Sequence, residues 1–224
     1  MKIWAISDTH GMHEQLKVPD GIDLVIHAGD VSNSFNRAVN FNEVSKFLEW
    51  WKSLPMFKVL IAGNHDSSIE TNMHGFNKLD GQHNYFLYLE HREAFVQDLK
   101  LFGSPYTPTF GQWSFMKDRG KLDKYWQHIP EGLDILITHG PPKGILDLSI
   151  DRDNNLDQCG DSALWNHVMR AKPKVHIFGH IHNFKSCKNQ GVFERDGIKF
   201  INASCVEDGK FEYGLTSNGV VFDI

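Results

Sequence analysis

Five short clusters gather side chains that could hold a metal ion: Asp8-Thr9-His10, Gly29-Asp30, Gly63-Asn64-His65-Asp66, Thr138-His139-Gly140 and Gly179-His180-Ile181-His182. Together they offer carboxylates, an amide oxygen and several imidazoles, with no thiolate. A mixed nitrogen and oxygen set suits hard or borderline divalent ions such as Mn, Fe or Zn in open, reactive sites, and does not resemble a closed structural zinc site. One histidine at a strand end is more often a hydrogen-bonded structural residue than a ligand. That alternative would have to hold independently at five places, so the set is read as a metal centre.

The spacing asks for particular backbone. Asp8 and His10, like His180 and His182, are two apart, so in extended chain both members of a pair face one side while Thr9 and Ile181 face the other. The glycines before Asp30, Asn64 and His180 let the backbone turn sharply and approach closely. Each cluster follows a continuously apolar run, at Ile3–Ile6, Leu24–His27, Lys58–Ala62, Asp134–Thr138 and Val175–Phe178, and such runs read as strands buried on both faces. In α/β sheets ligands bind beyond the carboxyl ends of strands, which lets clusters distant in sequence converge.

Further strands are expected at Tyr85–Leu89, Ala94–Phe102, Val192–Arg195, Ile198–Asn202 and Val220–Ile224. Phe41, Val44, Phe47, Leu48, Trp51 and Leu54 fall at helical spacing before Pro55 and predict an amphipathic crossover helix. A second helix is expected over about residues 161–171, with Leu164 and Val168 on one face. The chain thus reads as one layered α/β domain over residues 1–224. Gly103–Gly120 and Pro141–Gly160 read as long surface loops, of a length that is commonly functional. Tyr106, Phe110, Trp113 and Phe115 in the first are expected to pack on the loop itself, with stacking on a nucleobase the alternative. Asp151, Asp153, Asn155 and Asp157 begin like a calcium loop, but Leu156 replaces the required glycine and Ser162 the bidentate glutamate, so a solvated loop is expected.

Thirteen histidines stand beside three cysteines, and the formal charge is −5. His27 and His176 lie inside buried runs and are expected to be satisfied core residues. His13 and His74 are expected in exposed loops, and His83, His91, His128 and His167 show no ligand spacing. Cys159, Cys187 and Cys205 lack paired spacing and point to reduced thiols in a cytoplasmic protein. The acidic balance, without a basic stripe, argues against a stable nucleic-acid partner. No run approaches the roughly 18 apolar residues of a membrane span, and the oligomeric state stays open.

The ordered series Asp8-x-His10, Gly29-Asp30-x-x-Asn33, Gly63-Asn64-His65-Asp66, Thr138-His139 and Gly179-His180-x-His182 resembles the motif series of the calcineurin-like metallophosphoesterase superfamily. Gly103-Ser104-Pro105, the stretch 126–130, Thr138-His139-Gly140-Pro141-Pro142, Gly144-Ile145-Leu146-Asp147 and Ile201-Asn202-Ala203-Ser204 are similar to its metallophosphoesterase-domain-containing branch. The resemblance covers nearly the whole chain and implies a four-layer α/β/β/α sandwich with a two-metal centre. By motif position it implies that Asp8, His10 and His182 hold one divalent ion, that Asn64, His139 and His180 hold the other, and that Asp30 bridges them. His65 would face the leaving group instead of an ion.

The expected reaction is hydrolysis of a small phosphodiester or cyclic nucleotide. Two ions roughly 3.5–4 Å apart would lower the pKa of a bridging water and neutralise the phosphoryl oxygens. The resulting hydroxide would attack while His65 assists the leaving oxygen. Asp66 is expected to orient His65. Three other readings are carried: a phosphomonoesterase or phosphoprotein phosphatase, a nuclease, and a metal-binding scaffold with weak catalysis. The resemblance weighs against the first, because the protein phosphatases usually carry Asp-Arg-Gly where this chain has Asn33-Ser34-Phe35, with Arg37 nearby.

Overall fold

The computed structural model describes residues 1–76, 86–151, 153–208 and 213–224, which leaves His83 and the expected strand start at Tyr85 outside the described residues. Alternation of side chains along the buried runs dictates the layers. In β1 (Lys2–Ile6), Ile3 and Ala5 face one side and Trp4 and Ile6 the other, and β2 (Leu24–Ala28) and β3 (Phe57–Ile61) repeat the pattern. These three strands and β4 (Phe86–Tyr88) run parallel, and β17 (Val220–Asp223) pairs antiparallel with β1, giving the order β17-β1-β2-β3-β4.

In a second sheet the central strands β6 (Leu99–Ser104), β9 (Ile135–Thr138), β12 (Val175–Phe178) and β14 (Ile198–Asn202) are parallel, and the edges β5 (Arg92–Val96) and β13 (Gly191–Arg195) are antiparallel. Their order is β13-β14-β12-β9-β6-β5. The two sheets pack face to face through Ile3, Ile26 and Val59 against Leu101, Ile135 and Ile177.

Each outer face is covered by helix. Helix α1 (Arg37–Ser53) buries Val44, Phe47 and Trp51 against Trp4, Val25 and Leu60. The Asn36 side chain caps it by accepting from the amides of Ala38 and Val39, satisfying donors that a first turn leaves free. On the other face, α3 (Leu122–Trp126) and α4 (Ser162–Ala171) bury Trp126, Leu164 and Val168 against Leu136, Phe178 and Phe200. The result is the expected four-layer α/β/β/α sandwich, with a short α2 (Ser67–Glu70) below the site.

Four expectations need correction. Ala94–Phe102 is a hairpin and not one strand: β5 turns through Gln97, at φ 51°, into β6. The two long loops carry strands of their own. β7 (Thr107–Pro108) pairs with β8 (Met116–Lys117), and β10 (Leu148–Ile150) pairs with β11 (Leu156–Gln158). In the second hairpin Asp151 is a turn cap, its Oδ1 accepting from the amides of Asp153 and Asn155. His13 and His74 are not exposed, since His13 is buried against Phe47 and Trp50, and His74 stacks on Phe41. His27 is a satisfied core residue, whereas His176 is only half so: its Nε2 is bonded and its Nδ1 has no partner.

Candidate metal centre

All five clusters meet at the carboxyl ends of β1, β2, β3, β9 and β12. Ligand atoms of Asp8, His10 and His182 lie within 4.8 Å of one another, as do those of Asp30, His139 and His180, and those of His10, Asp30 and His65. Asp30 therefore belongs to two groups. Asn64 joins the second of these sets: its Oδ1 is 3.0 Å from His139 Nε2, which is itself 3.2 Å from Asp30 Oδ2. Donors at right angles about one ion at roughly 2.1 Å stand about 3 Å apart, so these separations are those of neighbouring ligands.

The way the chain brings them together differs from the extended spacing expected. Asp8, His10, Asp30 and His180 all adopt left-handed backbone, with φ of 52°, 42°, 58° and 67°. Such conformations are costly for residues other than glycine and gather at functional sites. As a consequence His180 and His182 enter different groups, and Ile181 lines the cavity with them. Asp8 and His10 do share one group, and Thr9 turns away to bond His27. The glycines are cradles. A Cβ on Gly63 would run into the carboxylate of Asp30, and one on Gly179 into that of Asp8; on Gly29 it would come within 2.6 Å of His139 Nδ1.

Backbone carbonyls set the imidazole tautomers. Nδ1 of His10, His65 and His139 lies 3.1, 3.1 and 2.9 Å from the carbonyl oxygens of Ser32, Asn33 and Ala28. A carbonyl only accepts, so in the neutral rings each Nδ1 carries the proton and each Nε2 is bare. Buried Nε2 atoms of His10 and His182 have no hydrogen-bond partner. His182 Nε2 sits 3.1 Å from Asp8 Oδ1 without hydrogen-bond geometry, the relation of two donors to one shared cation. Orphaned buried nitrogens are costly unless something fills the space they face.

The electrostatics of the buried groups show the same demand for positive charge. Burial pushes the Asp8 carboxyl up, but the His182 imidazole outweighs it and holds Asp8 below the usual carboxylate range. Asp30 behaves likewise, with burial overcome by His139 and His65. Burial would lower His139 and His182. Asp30 instead lifts the first to about 9, and Asp8 with Asp208 lifts the second to about 10. Burial prevails at His10 and His180, which fall to about 4 and about 3.

Two residues escaped sequence reasoning. Asp208, in β15 (Val206–Asp208), places Oδ1 2.6 Å from His182 Nδ1 and so fixes that ring from behind. Tyr213, in β16 (Tyr213–Leu215), stacks on His10 with centroids 4.2 Å apart. Asp66 is placed differently from its expectation. Its buried carboxylate accepts from the amides of Asp30, Ser32 and Gly63 and from the Ser32 hydroxyl, so it pins the Asp30 loop, and His65 is held by the Asn33 carbonyl instead.

The calcineurin-like phosphoesterase family model matches residues 1–184. The chain belongs to that family. It is 37% identical over 223 residues to human metallophosphoesterase domain-containing protein 1, covering 89% of this chain and 64% of that protein. It is 36% identical over 236 residues to a UPF0046 protein of Caenorhabditis elegans, covering 98% and 79%. The chain thus spans less than two thirds of the length of the human relative. Among solved structures, the crystal structure of TT1561 of Thermus thermophilus superposes with a TM-score of 0.64 at 12% identity over 91% of this chain and 88% of that one, a likeness of fold. Within this calcineurin-like phosphoesterase fold, Asp208 and Tyr213 lie outside the segment that the family model matches. No helix among the described residues is long and apolar enough to cross a membrane.

Proposed function

We propose that the protein is a dinuclear metal-dependent phosphodiesterase acting on a small phosphodiester, with cyclic nucleotides among the candidates. The observation that carries this reading is the linking of the donors in series: His10 belongs both to the group with Asp8 and His182 and to the group with Asp30 and His65, and Asp30 belongs in turn to the group with His139 and His180. Asp8, His10 and His182 would hold one ion and Asn64, His139 and His180 the other, and the donor chemistry suits Mn, Fe or Zn. Two divalent ions held there would supply a lowered water pKa and charge neutralisation at phosphorus. The chain's own groups do the rest. The Asn33 carbonyl orients the His65 ring so that Nε2 faces the cavity, and protonated at that atom His65 gives its proton to the leaving oxygen. Asp66 keeps the Asp30 loop in place, and Asp208 keeps His182 in its tautomer.

A diester is favoured over a monoester by what lines the cavity. Of the two cations on its wall, Arg119 and Lys143, the first donates to the carbonyls of Gly160 and Cys159, which draws part of its guanidinium away from a dianionic monoester. The net charge of −5 speaks against a nuclease, which must neutralise many phosphates. Cytoplasmic location is part of the same reading, from the unpaired cysteines. Hydrolysis of bis-p-nitrophenyl phosphate compared with p-nitrophenyl phosphate in added Mn tests it. Faster turnover of the diester is expected. Preference for the monoester would overturn the diester assignment, and no activity on either with two metals bound would leave a non-catalytic scaffold.

A further inference from the structure

The aromatic segment between β6 and α3 divides into two halves with different fates. Phe115 is fully buried in the core beneath α1, and Tyr106 packs on Tyr125 with the Lys117 ammonium over its face. Phe110 and Trp113 instead line the cavity of about 640 Å³ that contains the metal centre. The Trp113 ring is 4.2 Å from that of His65, and Phe110 is 5.3 Å from His180. Phe35 lies 4.0 Å from Trp113 and 6.2 Å from His65. Phe35 is 72% exposed and Phe110 59% exposed. Large aromatic faces left against water beside a concave polar site mark a place where something binds.

The wall is held rigidly. The amide of Ser114 donates to the carbonyl of Asn64, 3.0 Å away, and that of Phe115 donates to Glu70 Oε1, 2.7 Å away, so the segment is stapled both to the strand end that carries His65 and to α2. Gly111 leaves Trp113 its room, since a Cβ there would come within 3.2 Å of the indole. Phe110 and Trp113 are 6.4 Å apart and already in contact, so a ligand ring would lie against them and not between them.

We propose that Phe35, Phe110 and Trp113 form a subsite for a flat aromatic ring carried by the leaving group of the phosphoester. The inference rests on the reading of the centre given above, because that reading puts the leaving group at His65, the residue on which Trp113 packs. Any planar π-system satisfies the surface, since stacking needs a face and not a hydrogen-bonding pattern. A simple aryl group and a nucleobase therefore share the required chemistry.

Direct binding to the metal-loaded protein, read by calorimetry, separates the outcomes without relying on turnover. Phenylphosphonate is compared with methylphosphonate, adenosine 5′-monophosphate with ribose 5-phosphate, and inorganic phosphate serves as the ring-free reference. In at least one pair the ring-bearing ligand should bind roughly tenfold more tightly, and the pair with the larger ratio identifies the ring preferred. Trp113→Ala should bring the ratio to within about twofold of unity, whereas Trp113→Phe should keep most of it. Phe35→Ala, at a side chain too exposed to govern folding, should lower the ratio on its own. Equal affinity within both pairs, or a ratio that survives Trp113→Ala, overturns the subsite and leaves the phosphoester centre standing. Failure to bind any of the five ligands overturns both.

Discussion

The carboxylate of Asp208 and Nδ1 of His182 lie 2.6 Å apart, on the far side of the imidazole from Asp8. Such a partner fixes which ring nitrogen faces the cation and raises its basicity. Asp208→Asn should therefore weaken metal binding by about 10–100-fold while leaving the melting temperature of the metal-free chain nearly unchanged, because Asp208 sits in a half-exposed hairpin outside the three core clusters. Metal titration alongside a thermal melt checks both halves of this expectation.

His65 and Asp66 are neighbours in sequence with separable jobs. His65→Asn should keep its metals and lose about 10²–10⁴-fold in turnover, with a smaller loss on leaving groups as acidic as p-nitrophenol, which need no proton. Asp66→Asn should act on structure. Breaking a buried, charge-assisted hydrogen-bond set costs about 1–3 kcal/mol, and a domain of this size loses about 2–4 °C in Tm for each of them. Calorimetry should show that drop together with weaker metal binding, since the Asp30 loop hangs from this carboxylate.

Gly63 and Gly179 test the cradle. Gly63→Ala and Gly179→Ala each push a methyl group into a carboxylate of the centre, whereas Gly214→Ala meets nothing within 4 Å. The first two should lose bound metal, measured by elemental analysis of the purified protein, and the third should retain the full complement.

Stability should depend on pH through His176. Burial holds its imidazole down to about 3 against an ordinary 6.5. The Thr138 hydroxyl donates to the Gly140 carbonyl, so it can only accept from His176 Nε2, which leaves Nδ1 bare among Phe178 and Phe200. Between these two values the unfolded chain binds a proton that the folded chain refuses. The contribution is whole above 6.5 and shrinks as pH falls towards 3, by up to about 1.4 kcal/mol per pH unit. Urea unfolding between pH 7 and pH 5 should show a shallower slope for His176→Gln than for the natural chain, by about one proton.

The layers and the convergence of Asp8, His10, Asp30, Asn64, His139, His180 and His182 were legible in the sequence because both are local signals. Alternation along a strand assigns its faces, and a ligand cluster after each buried run marks the end of a sheet. The route of convergence was not legible. Two-residue spacing implies extended chain, yet Asp8, His10 and His180 reach the centre through left-handed backbone, which Asp and His enter more readily than most residues but which spacing does not announce. Asp208 and Tyr213 were hidden for another reason. They sit in a short, half-exposed hairpin without ligand spacing, and only the packing of the chain sets them behind His182 and over His10. The turn at Gln97 lacked a glycine to announce it, so β5 and β6 read as one strand.

The donors also divide by layer. Asp8, His10, Asp30 and Asn64 follow strands of the first sheet, while His139, His180 and His182 follow strands of the second. Anything bound by members of both sets acts as a clasp between the two halves of the sandwich at its polar rim, where the apolar interface has ended. Chelation would then do more than empty a pocket, because it would unfasten one sheet from the other at the edge where the interior is most accessible to water.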